Sequence, residues 1–311
     1  MALPQVPRCD YEGSQYQHEF WTPERAYEDL AERAALRRLL PPRGRRLVEI
    51  GAGAGRLFNL YQEYEEVYLL DYARSQLEQA RARIGDRPGL YFVQGDIYAL
   101  PFVDGFFDTL VTVRVVHHVA DLAAALEEVA RVSAPGAIYV MEFANKRNAK
   151  AILRWMVGRA RAGERPFDLA PYEFVPLNFD YHPAHVRWAL RGAGFEPVVE
   201  LAVSHFRLPI LKRLVPARWL AALDARLQGP TARWRLTPSM MVRARLVRRQ
   251  RPAPAGARWR CPGCGAGAEE QEGKVLCRGC SREYPVEGGI YVMRPDLASP
   301  SSRLLVGRKA P

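Results

Sequence analysis

Four of the five cysteines fall in one short stretch, CPGCGAGAEEQEGKVLCRGC at 261–280. Cys261, Cys264, Cys277 and Cys280 make two C-x2-C pairs with twelve residues between them, the spacing at which two knuckles clasp one tetrahedral zinc ion. Four thiolates close the coordination sphere, so such a zinc is structural, and a fragment this short could hardly fold without it. A second set of reactive residue types lies in the first half. Glu49 precedes a glycine loop, Gly51-Ala52-Gly53-Ala54-Gly55, and Asp71, Gly95-Asp96 and His117-His118 each follow an apolar run. A dinucleotide fingerprint, G-x-G-x-x-G, needs glycine where Arg56 stands, so the loop speaks against a nicotinamide dinucleotide.

The elements that must hold these residues follow from patterning. Leu47–Ile50 and the runs at 66–72, 90–96, 107–116 and 137–144 read as buried strands, separated by helical stretches. The helix before the fifth strand starts at an N-cap, Asp121, carries Leu122, Ala125, Leu126 and Val129 at helical spacing, and stops at the turn SAPG. Alternating strands and helices make a parallel doubly wound sheet, which binds ligands beyond the carboxyl ends of its strands. Upstream, Thr22 (N-cap), Pro23 (first helical position) and Pro41-Pro42 (stop) bound one helix. Downstream, NKRNAKAILRWMVGRARAG carries a basic stripe, Arg147, Lys150, Arg154 and Arg161, opposite Ile152, Trp155 and Met156. An insertion at about 207–237 places Leu211, Leu214, Val215, Leu220, Leu223 and Leu227 at helical spacing. Pro209 and Pro216 break it into short helices, suited to roof an apolar pocket or to lie on a membrane surface. Residues 248–258 read as a linker, and 296–311 as a tail without fixed structure.

Composition sets outer limits. The 311 residues are 48% hydrophobic and 25% charged, as in ordinary globular chains. No apolar run approaches the ~20 residues of a membrane span, and the first residues lack a secretory pattern. A cytoplasmic location is therefore expected, where C-x2-C pairs hold metal rather than disulfides. The net charge of +11 is concentrated at 151–260, with 20 Lys and Arg against 7 Asp and Glu. That charge suits phosphates or anionic lipid, or is the solvated face of Arg-rich helices.

VEIGAGAG, LLDYARSQLEQAR, VQGDIYALPF, FDTLVTVRVVHHV and ALEEVARVSAPGAIYVMEF together resemble the class I S-adenosylmethionine-dependent methyltransferases of the type 11 group, over residues 45–145. One departure is Pro135-Gly136-Ala137, where the family's turn usually reads Pro-Gly-Gly. The resemblance implies an α/β fold with a mostly parallel seven-stranded sheet over 45–247, and S-adenosylmethionine as cofactor. It implies that Gly51, Ala52, Gly53 and Gly55 let the backbone approach that cofactor closely, and that Glu49 receives its ammonium group. Asp71 would accept both ribose hydroxyls, and Tyr72 and Ile97 would flank the adenine. Gly95-Asp96 would meet the adenine amine, and Arg114 the methionine carboxylate. His117 or His118 could serve as a base, although the pair is also frequent in the family as packing. Residues 1–44 would form a lid and helix, with Tyr16, His18 and Trp21 facing the cleft.

CPGC, LCRGC and EYPVEGGIYVM give residues 259–295 a resemblance to the Trm112-type zinc ribbon, with Tyr291 where a proline is usual. As a separate protein that module activates methyltransferases acting on tRNA, ribosomal RNA or translation factors. Three functions follow: methylation of a small, apolar molecule; methylation of RNA or a translation protein; or a non-catalytic cofactor-binding scaffold or partner subunit. The apolar insertion and the absence of an NPPY motif favour the first, and a nucleic-acid partner is not favoured. Acceptor identity and oligomeric state are not legible in the sequence.

Overall fold

The computed structural model describes residues 6–14 and 21–300; Tyr16, His18 and the tail from 301 lie outside them. A 3-10 turn at Pro23–Arg25 leads into α1 (Ala26–Leu39), and Thr22 caps nothing with its side chain. Then follow β1 (Gly44–Ile50), β2 (Tyr64–Asp71), α2 (Arg74–Ile84), β3 (Leu90–Gln94), β4 (Phe107–Thr112) and α3 (Leu122–Val132). Asp121 does cap α3, accepting the amide of Ala124 at 3.0 Å. The expected SAPG turn is instead the start of β5 (Ser133–Ala144): the register against β4 shifts after Phe107, and Gly136 takes a left-handed φ of 73°. A bulge thus absorbs what the residue types suggested was a loop.

Beyond β5 come α4 (Ala149–Met156), a hairpin of β6 (Tyr172–Val175) and β7 (Asn178–Asp180), α5 (Pro183–Gly192), β8 (Phe195–Val203), α6 (Pro209–Leu214), α7 (Ala217–Leu227) and β9 (Ser239–Leu246). Seven strands run in the order β3-β2-β1-β4-β5-β9-β8, with β9 antiparallel to both neighbours. Alternate side chains feed two cores. Val48, Ile50 and Tyr68 pack with α3 and α5, while Leu47, Val67 and Leu69 pack with α1 and α7. Helices on both faces are what a parallel sheet requires.

The insertion does form short helices, but α7 does not roof a pocket. It lies against α1, tied by the Tyr27 hydroxyl to Asp224 (2.9 Å) and by Gln228 to the Ala31 carbonyl (2.9 Å).

The cysteine-bearing end departs most from expectation. Strands β10 (Trp259–Arg260), β11 (Gly267–Gln271), β12 (Lys274–Cys277), β13 (Arg282–Glu287) and β14 (Ile290–Val292) are followed by β15 (Ser299–Pro300). β14 pairs in parallel with β3, Tyr291 opposite Val93, so the sheet has thirteen strands rather than seven. An edge strand with free amides and carbonyls invites such a partner. Trp259, 2% exposed, seals the junction between Phe102 (centroids 5.5 Å) and Tyr291 (4.8 Å). The expected linker is a docked strap: Ala253 donates to Gly105 (3.0 Å), and Arg258 accepts from Val103 (3.0 Å). The tail expected over 296–311 includes β15, paired to β13.

Candidate active site

One cleft opens at the carboxyl ends of β1 to β4. Its walls include Glu49, Gly51, Ala52, Gly53, Asp71, Tyr72, Gly95, Asp96, Ile97, Arg114 and His118. Neither Gly55 nor His117 reaches it. Gly55 answers to packing instead: a Cβ there would sit 2.5 Å from Ile84 on α2. Gly51, at φ 76°, would place a Cβ 2.2 Å from Val115, so this position tolerates no side chain.

Glu49 is buried, and its Oε2 has no hydrogen-bond partner among the described residues. Burial pushes its carboxyl up to about 8, against the pull of Arg56. The buried Tyr61 hydroxyl beside it also pulls the value down, but lies outside hydrogen-bond geometry, and a buried carboxyl oxygen left without a hydrogen bond is a place for a cationic group. Asp71 accepts the Gly53 amide on Oδ2 (2.8 Å) and the Ala73 amide on Oδ1 (3.0 Å). Burial pushes it up to about 6, with those amides opposing. Each oxygen keeps a second lone pair, so the carboxylate can still take two hydroxyls.

Three residues are engaged in ways the sequence reading missed. Asp96 accepts the Tyr98 amide on Oδ1 (2.9 Å), while its Oδ2 takes Arg8 Nε (2.8 Å). Arg8, Cys9 and Tyr11 line the cleft as part of a strap, whose Glu12 carboxylate caps α2 through the amides of Arg74 (2.7 Å) and Ser75 (3.1 Å). Arg114 holds a left-handed φ of 60°; its amide donates to Glu142 (3.1 Å) and its Nε to Glu32 (2.8 Å). It is thus committed to a protein carboxylate at the place where a ligand carboxylate was expected. Burial would raise Glu32, but Arg114 and Arg56 hold it below the usual range. The one sequence signal was Glu28 and Glu32 at helical spacing on the buried stripe of α1. Tyr72 carries Arg294 of the cysteine-bearing end 3.8 Å above its ring. Trp21 does face the cleft, beneath Arg56 (3.8 Å) and Arg114 (4.8 Å).

The two histidines differ. His118 Nδ1 lies 2.9 Å from the Leu177 carbonyl, which can only accept, so Nδ1 carries the proton. Nε2 is then the lone-pair nitrogen, 2.8 Å from the Tyr11 hydroxyl. Burial lowers the His118 pKa, and the adjacent His117 (ring centroids 4.0 Å, tilted by 49°) is lowered further by burial and by the His118 and Arg114 charges.

Outside this cleft the four sulfurs of Cys261, Cys264, Cys277 and Cys280 lie within 4.8 Å of one another. The Cys264–Cys277 and Cys261–Cys280 distances are 3.4 and 3.8 Å. A tetrahedral zinc with bonds of about 2.3 Å separates its sulfurs by about 3.8 Å, so the cluster fits one ion. Cys9 lies in the strap by the cleft, apart from that cluster.

Residues 48–141 match the family described as methyltransferase domain. A ubiquinone/menaquinone biosynthesis C-methyltransferase, UbiE, of Azotobacter vinelandii is 32% identical over 173 residues, 50% of this chain and 68% of that protein. A protein of transposon TN4556 from Streptomyces fradiae is 40% identical over 91 residues, and there the match spans only 26% of the relative. For the demethylmenaquinone methyltransferase of Beutenbergia cavernae the identity is 34% and the match spans 47%. In fold, the chain is similar to one chain of the complex between the Haloferax volcanii Trm112 methyltransferase activator and a methyltransferase (TM-score 0.51, 18% identity, 75% of this chain and 94% of that one). It is equally similar to an S-adenosylmethionine-dependent methyltransferase of Thermotoga maritima (0.51, 21%, 76% and 98%).

Proposed function

The chain belongs to the class I S-adenosylmethionine-dependent methyltransferases, and we propose that it methylates a small apolar molecule while its four thiolates hold a structural zinc ion. The observation that carries the donor site is the partnerless buried oxygen of Glu49, placed beside the glycine loop and Asp71. Glu49 would hold the cofactor's ammonium group, Asp71 its ribose hydroxyls, and Tyr72 with Ile97 its adenine. Asp96 would meet the adenine amine once Arg8 gives way. Arg114 reaches a ligand carboxylate only by sharing itself with Glu32.

The sulfonium of that cofactor brings a methyl group already activated for in-line attack, so the protein must chiefly align the acceptor and exclude water. The strap at 6–14 and Trp21 supply the cover. Where the acceptor must lose a proton, His118 takes it: Nδ1–H is committed to Leu177, and Nε2 faces the cleft with its lone pair. Its lowered pKa keeps Nε2 unprotonated at neutral pH, and the Tyr11 hydroxyl that donates to it must give way to the acceptor.

The likeness to a ubiquinone/menaquinone biosynthesis C-methyltransferase and a demethylmenaquinone methyltransferase supports an apolar acceptor. The alternative acceptor, RNA or a translation protein, loses support at the basic stripe. Arg154 is ion-paired with Glu164 and Arg147 donates to the Trp234 carbonyl, which leaves no row of four available cations. Four thiolates on two knuckles support the Trm112-like ribbon, here carried on the same chain.

The test is transfer of labelled methyl groups to organic-extractable acceptors, with a polyprenyl quinol as the first probe. Label appearing only in RNA or protein would reverse the ranking of acceptors. His118→Gln should lower kcat while leaving cofactor affinity intact; unchanged turnover would remove the base.

A further inference from the structure

Helix α4 poses the problem. Its sequence is amphipathic, yet the apolar face is not packed: Leu153, Trp155 (49% exposed) and Met156 stand in solvent. Among the described residues, the exposed large apolar side chains all fall between 153 and 236, except Leu30, Val247 and Leu297. Soluble monomers seldom leave so much large apolar surface uncovered without a use for it.

Apart from Trp188 on α5 and Val198 and Val199 along β8, these side chains gather at one rim. Ala144 at the end of β5 is opposite Ser239 at the start of β9, and so is Val203 at the end of β8. The segments after β5, after β8 and before β9 therefore leave the sheet together, on the edge that carries the cleft. Hydrogen bonds confirm the grouping: Ala149 donates to Leu236 (2.8 Å), Arg147 to Trp234 (3.2 Å), and the Trp155 and Phe167 rings meet at 5.3 Å. The insertion adds Leu208, Ile210, Leu214 (74% exposed) and Trp219 (62%). The β6–β7 hairpin presents Phe174 and Val175 to solvent, while its Leu177 carbonyl holds His118. Exposed cations are interleaved: Lys150, Arg159, Arg165, Arg213, Arg218 and Arg233. Between 145 and 238 the exposed acidic side chains are Asp168, already paired with Lys146, Glu196, paired with Arg191, and Glu173.

We infer that this rim docks on an anionic phospholipid bilayer, so that the acceptor passes from the lipid phase into the cleft. Trp at the headgroup level, aliphatic side chains below it and Lys or Arg around them form the surface that an interfacial binder needs. Short helices broken at Pro209 and Pro216 suit lying on a membrane, and no helix among the described residues is long and apolar enough to cross one. The charge complements anionic headgroups, which fixes the partner as a bilayer rather than a second copy of this equally basic surface. The inference rests on the apolar-acceptor reading only for its purpose; the docking itself is measured without turnover.

The test is cosedimentation of the full-length chain with vesicles of phosphatidylcholine alone, and of phosphatidylcholine mixed with phosphatidylglycerol. Binding should favour the anionic vesicles, weaken with salt, and shift tryptophan emission to the blue. Trp155→Ser with Trp219→Ser should abolish most of it. Lys150→Glu, Arg165→Glu and Arg213→Glu should each weaken it about fivefold or more. Val247→Asn, at the far end of β9, should change nothing. Retained cofactor affinity shows that each variant is folded. Absence of binding to either vesicle, binding indifferent to the tryptophans, or cosedimentation replaced by tight RNA binding lost in the charge variants would overturn the inference. Docking without methylation of any lipid-soluble acceptor would sink the proposed substrate class alone.

Discussion

Glu49→Gln isolates the carboxyl on which the donor site turns. With its pKa near 8 in the unliganded cleft, Glu49 is protonated at neutral pH and must lose that proton to meet an ammonium group. The deprotonation costs about 1.4 kcal/mol at pH 7, about 2.7 at pH 6 and little at pH 8. A buried charge-assisted hydrogen bond returns about 2–3 kcal/mol. The glutamine variant should therefore match the native protein near pH 6, bind about fivefold more weakly at pH 7, and about thirtyfold more weakly at pH 8. Native affinity rises with pH across that window. It stops rising near pH 8, where an α-amino group begins to lose its own proton. Titration calorimetry in two buffers of different ionisation enthalpy counts the released proton directly. Native binding at pH 7 should release close to one proton, and the variant far less. A flat native profile from pH 6 to 8, or an unchanged slope in the variant, would refute the assignment of Glu49.

Asp71→Ala should weaken cofactor binding by about 2–4 kcal/mol in calorimetry, and should also lower thermal stability because the Gly53 and Ala73 amides lose their acceptor. Elemental analysis should find one zinc per chain, kept in Cys9→Ser and lost in Cys277→Ser together with a fall in Tm. Gly105→Ala drives a Cβ to 2.0 Å from the Arg251 carbonyl at φ 70°, so the docked strap must shift. Gly273→Ala, at φ 72° in open space, suffers only the dihedral penalty of about 1 kcal/mol. Equal melting temperatures for these two variants would contradict the docking of 248–258.

The strands of the first half were legible because each is a continuous apolar run closed by a polar residue, and the glycine loop lies between two of them. The cysteines were legible because metal coordination fixes ligand spacing along the chain. What was hidden depends on pairings that no local pattern encodes. Arg114 meets Glu32 across 82 residues, and Asp96 meets Arg8 across 88. Three residues, Ile290–Val292, are too few for any periodicity, yet they attach the cysteine-bearing end to the sheet. The basic stripe looked like one face of an amphipathic helix with a buried opposite side. Which side of α4 meets protein is decided by the rest of the fold: Ala151 is buried and Arg154 is half-buried against Glu164, while Trp155 and Met156 are left outside.

The parallel pairing of β14 with β3 joins segments some two hundred residues apart, and this bears on how the chain is made. During synthesis β3 leaves the ribosome long before its last neighbour exists. The aromatic surface of Tyr68, Tyr91 and Phe102 waits for Trp259 and Tyr291 with its hydrogen-bonding edge open. Distant parallel pairings close slowly, and open edges recruit other chains. A nascent chain stalled before residue 259 would present both liabilities at once. Yield of soluble protein should accordingly depend on growth temperature, on zinc supply and on any slowing of translation between β3 and the first cysteine.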